Sequence, residues 1–229
     1  MKLPAMRMHI PPGWLAAAAL SLALSAGCAA LTEVVKPAPL PVHYSLSYTP
    51  AHTATPAPSA AAAPILIVSP PQAAAGFDSS RMMYVRHINQ LEYFAFNQWI
   101  DAPARMLEPL IVSAAEATGA FRAVVPTPSL AGGELRLDTQ ILRLQQEFLE
   151  TPSRVRFTLR AYLLENATHR VVASREFEAV AAAPTEDGQG GAAAANQATR
   201  KVLEELAAFC AKAAGGDWKR SSGGEVPQR

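Results

Sequence analysis

Among the residues able to do chemistry, Cys28 stands in the most ordered surroundings. Lys2 and Arg7 make a short cationic stretch, Trp14 to Leu24 is apolar, and the small residues Ser25-Ala26-Gly27 come directly before the thiol. This is the three-part order of a secretory signal, cut after small residues. A retained membrane helix would need about 20 apolar residues. Here the run is shorter, Pro11 and Pro12 precede it, and Pro37, Pro39 and Pro41 follow. Cleavage is expected before Cys28, which makes residues 1–27 a signal peptide.

The other reactive groups form no constellation. His9, His43, His52, His87 and His169 never pair at a metal-ligand spacing. No Gly-x-Ser-x-Gly elbow and no Gly-Lys-Ser/Thr phosphate loop occurs. No catalytic residue, metal or cofactor is therefore expected, and the chain reads as a non-enzyme. A net charge of +1, from 20 basic and 19 acidic residues, lacks the basic excess that nucleic-acid binding demands. Arg154, Arg156 and Arg160 make a basic stripe, read as a solvated sheet face in preference to a contact with anionic headgroups. Cys210 lies on the apolar stripe of a helix, where a thiol acts as a small buried hydrophobe. Once the signal thiol is set aside, one cysteine remains, so no internal disulfide can form.

Ser25-Ala26-Gly27-Cys28 resembles the bacterial lipobox, with Ser25 where that motif has leucine. The resemblance implies diacylglycerol on the Cys28 sulfur and an acyl group on the new amino terminus. Several chains, at roughly 0.8 kcal/mol per buried CH2, hold where one chain would be marginal. Ala29, in place of an aspartate, implies the outer membrane, with the protein facing the periplasm. Residues 28–41 read as a lipidated, proline-rich tether that reaches some 40 Å when extended.

Behind these groups the chain predicts one α+β domain over 42–214, with a mostly antiparallel or mixed sheet and two main helices packed on it. Val42 to Tyr48 alternates as a first strand, and Ile65-Leu66-Ile67-Val68 is a buried strand stopped by Pro70 and Pro71. Between them, 49–64 is an Ala/Pro/Thr insertion too poor in apolar area to order itself. Arg81 to Trp99 carries two aromatic-rich strands around His87-Ile88-Asn89-Gln90. Asp101 is placed to cap the following helix, with Pro103 in its first turn and Met106, Leu107, Leu110, Ile111 and Ala114 as its apolar stripe. Pro109 should bend that helix and Gly119 should end it. Phe121 to Val125 is a short strand.

A meander follows, with strands at Leu135–Leu144, Val155–Leu163 and Val171–Ala179. The first slips phase after Ile141, the mark of a bulge. Asp187 to Gly191 is expected as a loop before a last helix built on Val202, Leu203, Leu206, Phe209, Cys210 and Ala213, which closes at Gly215-Gly216. The polar residues 215–229 read as a disordered tail.

The run Met83-Tyr84-Val85-Arg86-His87, continued by Leu91-Glu92-Tyr93-Phe94-Ala95-Phe96-Asn97-Gln98-Trp99-Ile100-Asp101-Ala102-Pro103, resembles the ABC-type transport auxiliary lipoprotein family. That resemblance implies an accessory lipoprotein of an MCE-type ABC lipid transporter, whose partner is the transporter's periplasmic MCE subunit. Self-association into a homo-oligomer stays open. The other reading is a structural or assembly lipoprotein of the envelope. The resemblance brings no catalytic residues. It singles out Tyr84, Arg86, Tyr93, Phe94, Phe96, Trp99, Asp101 and Pro103 as core or interface. The alternation of Tyr93 and Ala95 with Phe94 and Phe96 reads as a strand covered on both faces, with an exposed aromatic strip as the alternative.

Overall fold

The structure, a computed structural model, describes residues 39–50 and 63–216. The signal peptide, Cys28, most of the tether and insertion, and the tail from 217 lie outside the described residues. The described strands and helices fall within the unit Pro41–Arg229. They are β1 (Val42–Tyr44), β2 (Ile65–Val68), β3 (Gln72–Ala73), β4 (Arg81–His87), β5 (Gln90–Trp99), α1 (Pro103–Glu116), β6 (Ala123–Pro126), β7 (Leu135–Glu147), β8 (Arg154–Glu165), β9 (Val171–Ala182) and α2 (Gly188–Ala214).

Strand β7 is the spine of the mixed sheet. On one side β8 pairs with it antiparallel from Leu135↔Glu165 to Glu147↔Arg154, and β9 pairs antiparallel beyond β8. Its other side is shared by three short strands, all parallel to it: β2 at Leu66↔Leu135, β3 at Gln72↔Gln140 and β4 at Met83↔Gln145. Beyond β2 lies β6, and beyond β4 come β5 and then β1. Parallel neighbours need a crossover, and α1 supplies one, between β5 and β6. The expected mixed sheet with two helices is what forms.

Alternation along β7 and β8 divides the sheet into two faces. Leu135, Leu137, Ile141, Phe157, Leu159 and Leu163 are essentially inaccessible to solvent. The register passes from Ile141↔Leu159 to Arg143↔Thr158, so Leu142 is the extra residue at the slip expected from the sequence. Helix α2 lies over the apolar face with Val202, Leu203, Leu206 and Cys210 inward. Its first half uses Ala194, Ala195 and Ala198, all buried. Small side chains here let the helix backbone approach the sheet, so these alanines of α2 are core.

Four local expectations are corrected. Residues 188–191 are the first turn of α2, not a loop. Asp187 caps that turn, accepting from Gly190 N at 2.8 Å, and the glycines serve close contact. A Cβ on Gly191 would stand 2.2 Å from Gln146 Oε1. Asp101 stands one place too early to cap α1, whose N-cap is Ala102; its carboxylate accepts from Ala102 N at 2.7 Å and pairs with Arg105. Helix α1 ends at Glu116, ahead of Gly119, which adopts φ +64°. Strand β1 stops at Tyr44 because the next residues turn onto α2: Ser47 N donates to Asn196 Oδ1 at 2.7 Å, and Asn196 Nδ2 donates to Ser45 O.

Candidate docking surface at the β4–β5 hairpin

Strands β4 and β5 join through Ile88 and Asn89, between the paired His87 and Gln90. Asn89 takes φ 65°, a left-handed conformation that asparagine adopts at modest cost. The hairpin is braced from beneath. Tyr84, Phe94 and Phe148 form a ring cluster with centroids 4.7, 5.8 and 6.3 Å apart, in tilted and edge-on geometries. Arg86 lies over the Tyr84 and Phe148 rings at 5.0 and 5.9 Å. The Tyr84 hydroxyl donates to Glu92 Oε2 at 2.9 Å. Burial, together with that carboxylate, raises the phenol above its ordinary pKa, so it remains a donor at neutral pH. Phe148 N donates to Val85 O at 2.8 Å and ties the end of β7 to β4.

The other side of the hairpin presents apolar groups to solvent. Ile88 is 79% exposed, Tyr93 51%, Leu149 50% and Leu91 41%. Phe77, Val85 and Leu142 line a hollow of about 530 Å³ beside Ile88, Leu91 and Leu149. The basic stripe reaches this hollow through Arg156, which is already committed: Nε lies 3.0 Å from Glu147 Oε1 and Nη1 2.5 Å from Glu178 Oε1. Arg154 pairs with Glu150, and Arg160 with Glu176 at 3.0 Å. The stripe is therefore a neutralised, solvated ladder. Among the described residues no group of three or more His, Cys, Asp or Glu could hold a metal. Nor, among them, is any helix long and apolar enough to cross a membrane. Such a surface can bury apolar area against a partner.

A family model, the ABC-type transport auxiliary lipoprotein component, matches residues 44–207, from β1 almost to the end of α2. The chain belongs to this family. Among solved structures, protein XCC0632 from Xanthomonas campestris, assigned to family DUF330, is 25% identical with a TM-score of 0.63. The match covers 80% of this chain and 97% of that one. An uncharacterised protein at 12% identity superposes with a TM-score of 0.52, over 65% of this chain and 90% of its own. The hypothetical protein CT253 from Chlamydia trachomatis, at 7% identity and a TM-score of 0.47, covers 67% and 99%. A comparison with curated proteins gives no match.

The residues that carry the auxiliary-lipoprotein resemblance separate in space. Tyr84, Trp99 and Pro103 are buried, and Phe94 is half-buried against the core. Trp99 N donates to Ser80 O at 2.8 Å and Ile100 N to Tyr44 O at 2.7 Å, fixing where the chain leaves the sheet for α1. Arg86, Tyr93 and Phe96 are exposed, with the Arg81 guanidinium 4.3 Å above the Tyr93 ring. Asp101 is half-exposed, and its carboxyl is held below the ordinary range by the Arg105 hydrogen bond and the Ala102 N–H.

The expectation of a strand covered on both faces is thus overturned: 45% of Phe96 and half of Tyr93 face solvent. The register explains it. Between Met83↔Tyr93 and Arg81↔Gln98, Phe94 to Asn97 stand opposite Met82 alone, so strict alternation breaks inside β5. Sequence reasoning missed Ile88, Phe148 and Leu149. An isoleucine at a polar turn was the available signal for the first; the pair just past the end of β7 carried none.

Proposed function

We propose that the protein is an outer-membrane lipoprotein, anchored by lipid on Cys28 and facing the periplasm. It serves an MCE-type ABC lipid transport system by docking the transporter's periplasmic MCE subunit, and it performs no chemistry of its own. The observation that carries this reading is the apolar shelf of Ile88, Leu91, Tyr93 and Leu149 on a hairpin braced from beneath. Large exposed apolar patches on soluble domains mark interaction sites. Membership of the auxiliary-lipoprotein family supports the class of system, the lipobox supports a lipid anchor, and Ala29 after its cysteine favours the outer membrane.

The test is photo-crosslinking in cells from position 88, with identification of the captured protein. Capture of the MCE subunit is expected, with loss of capture in Leu149→Asp while its melting temperature is unchanged. Capture of only peptidoglycan-associated or assembly factors, with lipid asymmetry intact in a deletion strain, would reject a transport role. Mass spectrometry of the mature amino terminus checks the anchor: an unmodified terminus at any residue other than Cys28 removes it.

A further inference from the structure

At the far end of the sheet from the hairpin, β9 and the last turns of α2 diverge and leave a cleft of about 700 Å³. That is the size of a small-molecule site, about 300–1,000 Å³. Its floor is apolar: Val172 and Ala173 from β9, and Phe209 and Ala213 from α2. Phe209 is set edge-on against Phe177 at 5.6 Å, which fixes the ring as a wall. Strand β9 is irregular here. The register moves from Leu163↔Ala173 to Leu164↔Val171, so Val172 is an extra residue in β9.

The rim is charged, with three cations, Arg170, Arg175 and Lys212, against one carboxylate, Glu205. Arg175 lies 3.8 Å from Glu205 and 5.0 Å above the Phe177 ring, and Arg170 lies 3.5 Å from Glu165. Lys212 makes no ion pair among the described residues.

We propose that this cleft binds an anionic lipid, with its acyl chain along Phe209, Val172 and Ala213 and its phosphate or carboxylate head at Arg170 and Arg175. The C-terminal carbonyls of α2 carry partial negative charge, so the head sits on the β9 side, and the Lys212 ammonium donates to it from across the cleft as a third cation. A small apolar trough under a cationic rim matches one chain and one acidic head. It is too small for the roughly 800 Å² per partner of an ordinary protein contact. The inference goes beyond the docking role, and the two fail independently, because the shelf and the cleft share no residue.

The test uses the mature chain with Cys28→Ser, which retains every described residue, and the fluorescent fatty acid cis-parinaric acid as the probe. Saturable fluorescence enhancement is expected, displaced by lysophosphatidic acid. Lysophosphatidylcholine, whose zwitterionic head carries no net charge because the choline cation offsets its phosphate, should compete about tenfold less well, the value of one hydrogen bond to a charged group. Inorganic phosphate should not compete, because the trough contributes through the chain. Lys212→Glu should weaken binding about tenfold on the same basis. Ala213→Trp should abolish binding by filling the floor, and melting curves establish that this variant is folded. Absence of saturable binding, equal competition by lysophosphatidylcholine, full displacement by phosphate alone, or unchanged affinity in Lys212→Glu would each overturn the proposal. Displacement by an acidic peptide and not by lysophosphatidic acid would assign the cleft to a protein segment pairing with the edge of β9.

Discussion

Replacing Gly190 by alanine reverses the usual sign of a helical glycine substitution. In an open helix the change gains about 0.8–1 kcal/mol, because alanine loses less backbone freedom on folding. At Gly190 a Cβ would stand 2.0 Å from the Thr185 carbonyl oxygen, 2.6 Å from Thr185 Oγ1 and 2.7 Å from Thr185 N. Two of those atoms are backbone, so no rotamer change relieves the overlap. Thr185 is also not free to retreat. Its hydroxyl donates to Asp187 Oδ1 at 2.7 Å, and the same oxygen accepts from Gly190 N at 2.8 Å. Moving Thr185 therefore opens the cap of α2, a loss of about 1 kcal/mol, on top of about 1–3 kcal/mol for overpacking. The net effect is a destabilisation of about 1–3 kcal/mol.

For a domain of this size that lowers the melting temperature by about 2–12 °C. Differential scanning calorimetry of the non-lipidated mature chain measures it, with Gly132→Ala as the control, since a Cβ there meets nothing within 4 Å. The double variant with Asp187→Ala should fall short of additivity, because both changes break the same cap. A Gly190→Ala protein that melts above its parent would refute the contact reading of the glycine-rich turn.

Trp99→Ala should destabilise the domain by about 3–5 kcal/mol, because the ring is only 3% exposed at the junction of β5 and α1; chemical denaturation reads the change. Asp187→Ala should cost about 0.5–2 kcal/mol at neutral pH. The Gly190 N–H and the Thr185 hydroxyl hold the Asp187 carboxyl below its ordinary pKa, so its stabilisation is full above about pH 4 and lost as pH falls through the lower folded value. Parent and variant denaturation midpoints should converge in acid; a constant gap would discount the carboxylate. Burial pushes the Cys210 thiol up to about 12, so in the Cys28→Ser chain iodoacetamide should leave Cys210 unmodified at pH 8 while the protein is native and label it once unfolded.

What the sequence revealed follows the length over which one physical rule acts. In β7 and β8 a period of two runs for a dozen residues with one face solvated, so strand identity, antiparallel pairing and even the extra residue at Leu142 could be read directly. The two-residue β3, by contrast, exists only because β7 offers it a partner at Gln140 and Ile141. Tyr48 alternates correctly with Tyr44, yet Asn196, far along the chain, draws the intervening backbone out of the sheet. Glycines at 188–191 resemble a loop to any local rule; the close neighbours that require them, Asn97, Gln146 and Thr185, belong to other segments. The same limit governs the candidate surface. Tyr93 and Phe94 are adjacent aromatics of equal hydrophobic promise, and which of them meets solvent depends on Tyr84 and Phe148, from β4 and from just past β7, packing against Phe94.

The energetics of that surface bear on why a lipid-bearing cysteine should accompany it. Full burial of a large aliphatic side chain is worth about 1.5–3 kcal/mol. Scaled by their exposures, Ile88, Leu149 and Leu91 together offer a partner about 3–5 kcal/mol. Association of two free proteins costs about 4–15 kcal/mol in lost translational and rotational freedom. The shelf by itself therefore does not hold a partner from dilute solution, and its charged margin adds little, because Arg156 is already paired with Glu147 and Glu178. Confinement changes that balance. In the proposed arrangement the tether keeps the domain within some 40 Å of its membrane, and a subunit reaching that membrane meets it at an effective concentration near millimolar. Half-occupancy at that concentration needs a net of only about 4 kcal/mol, so the shelf acts as the apolar centre of a wider contact, one weak enough to be released and made again.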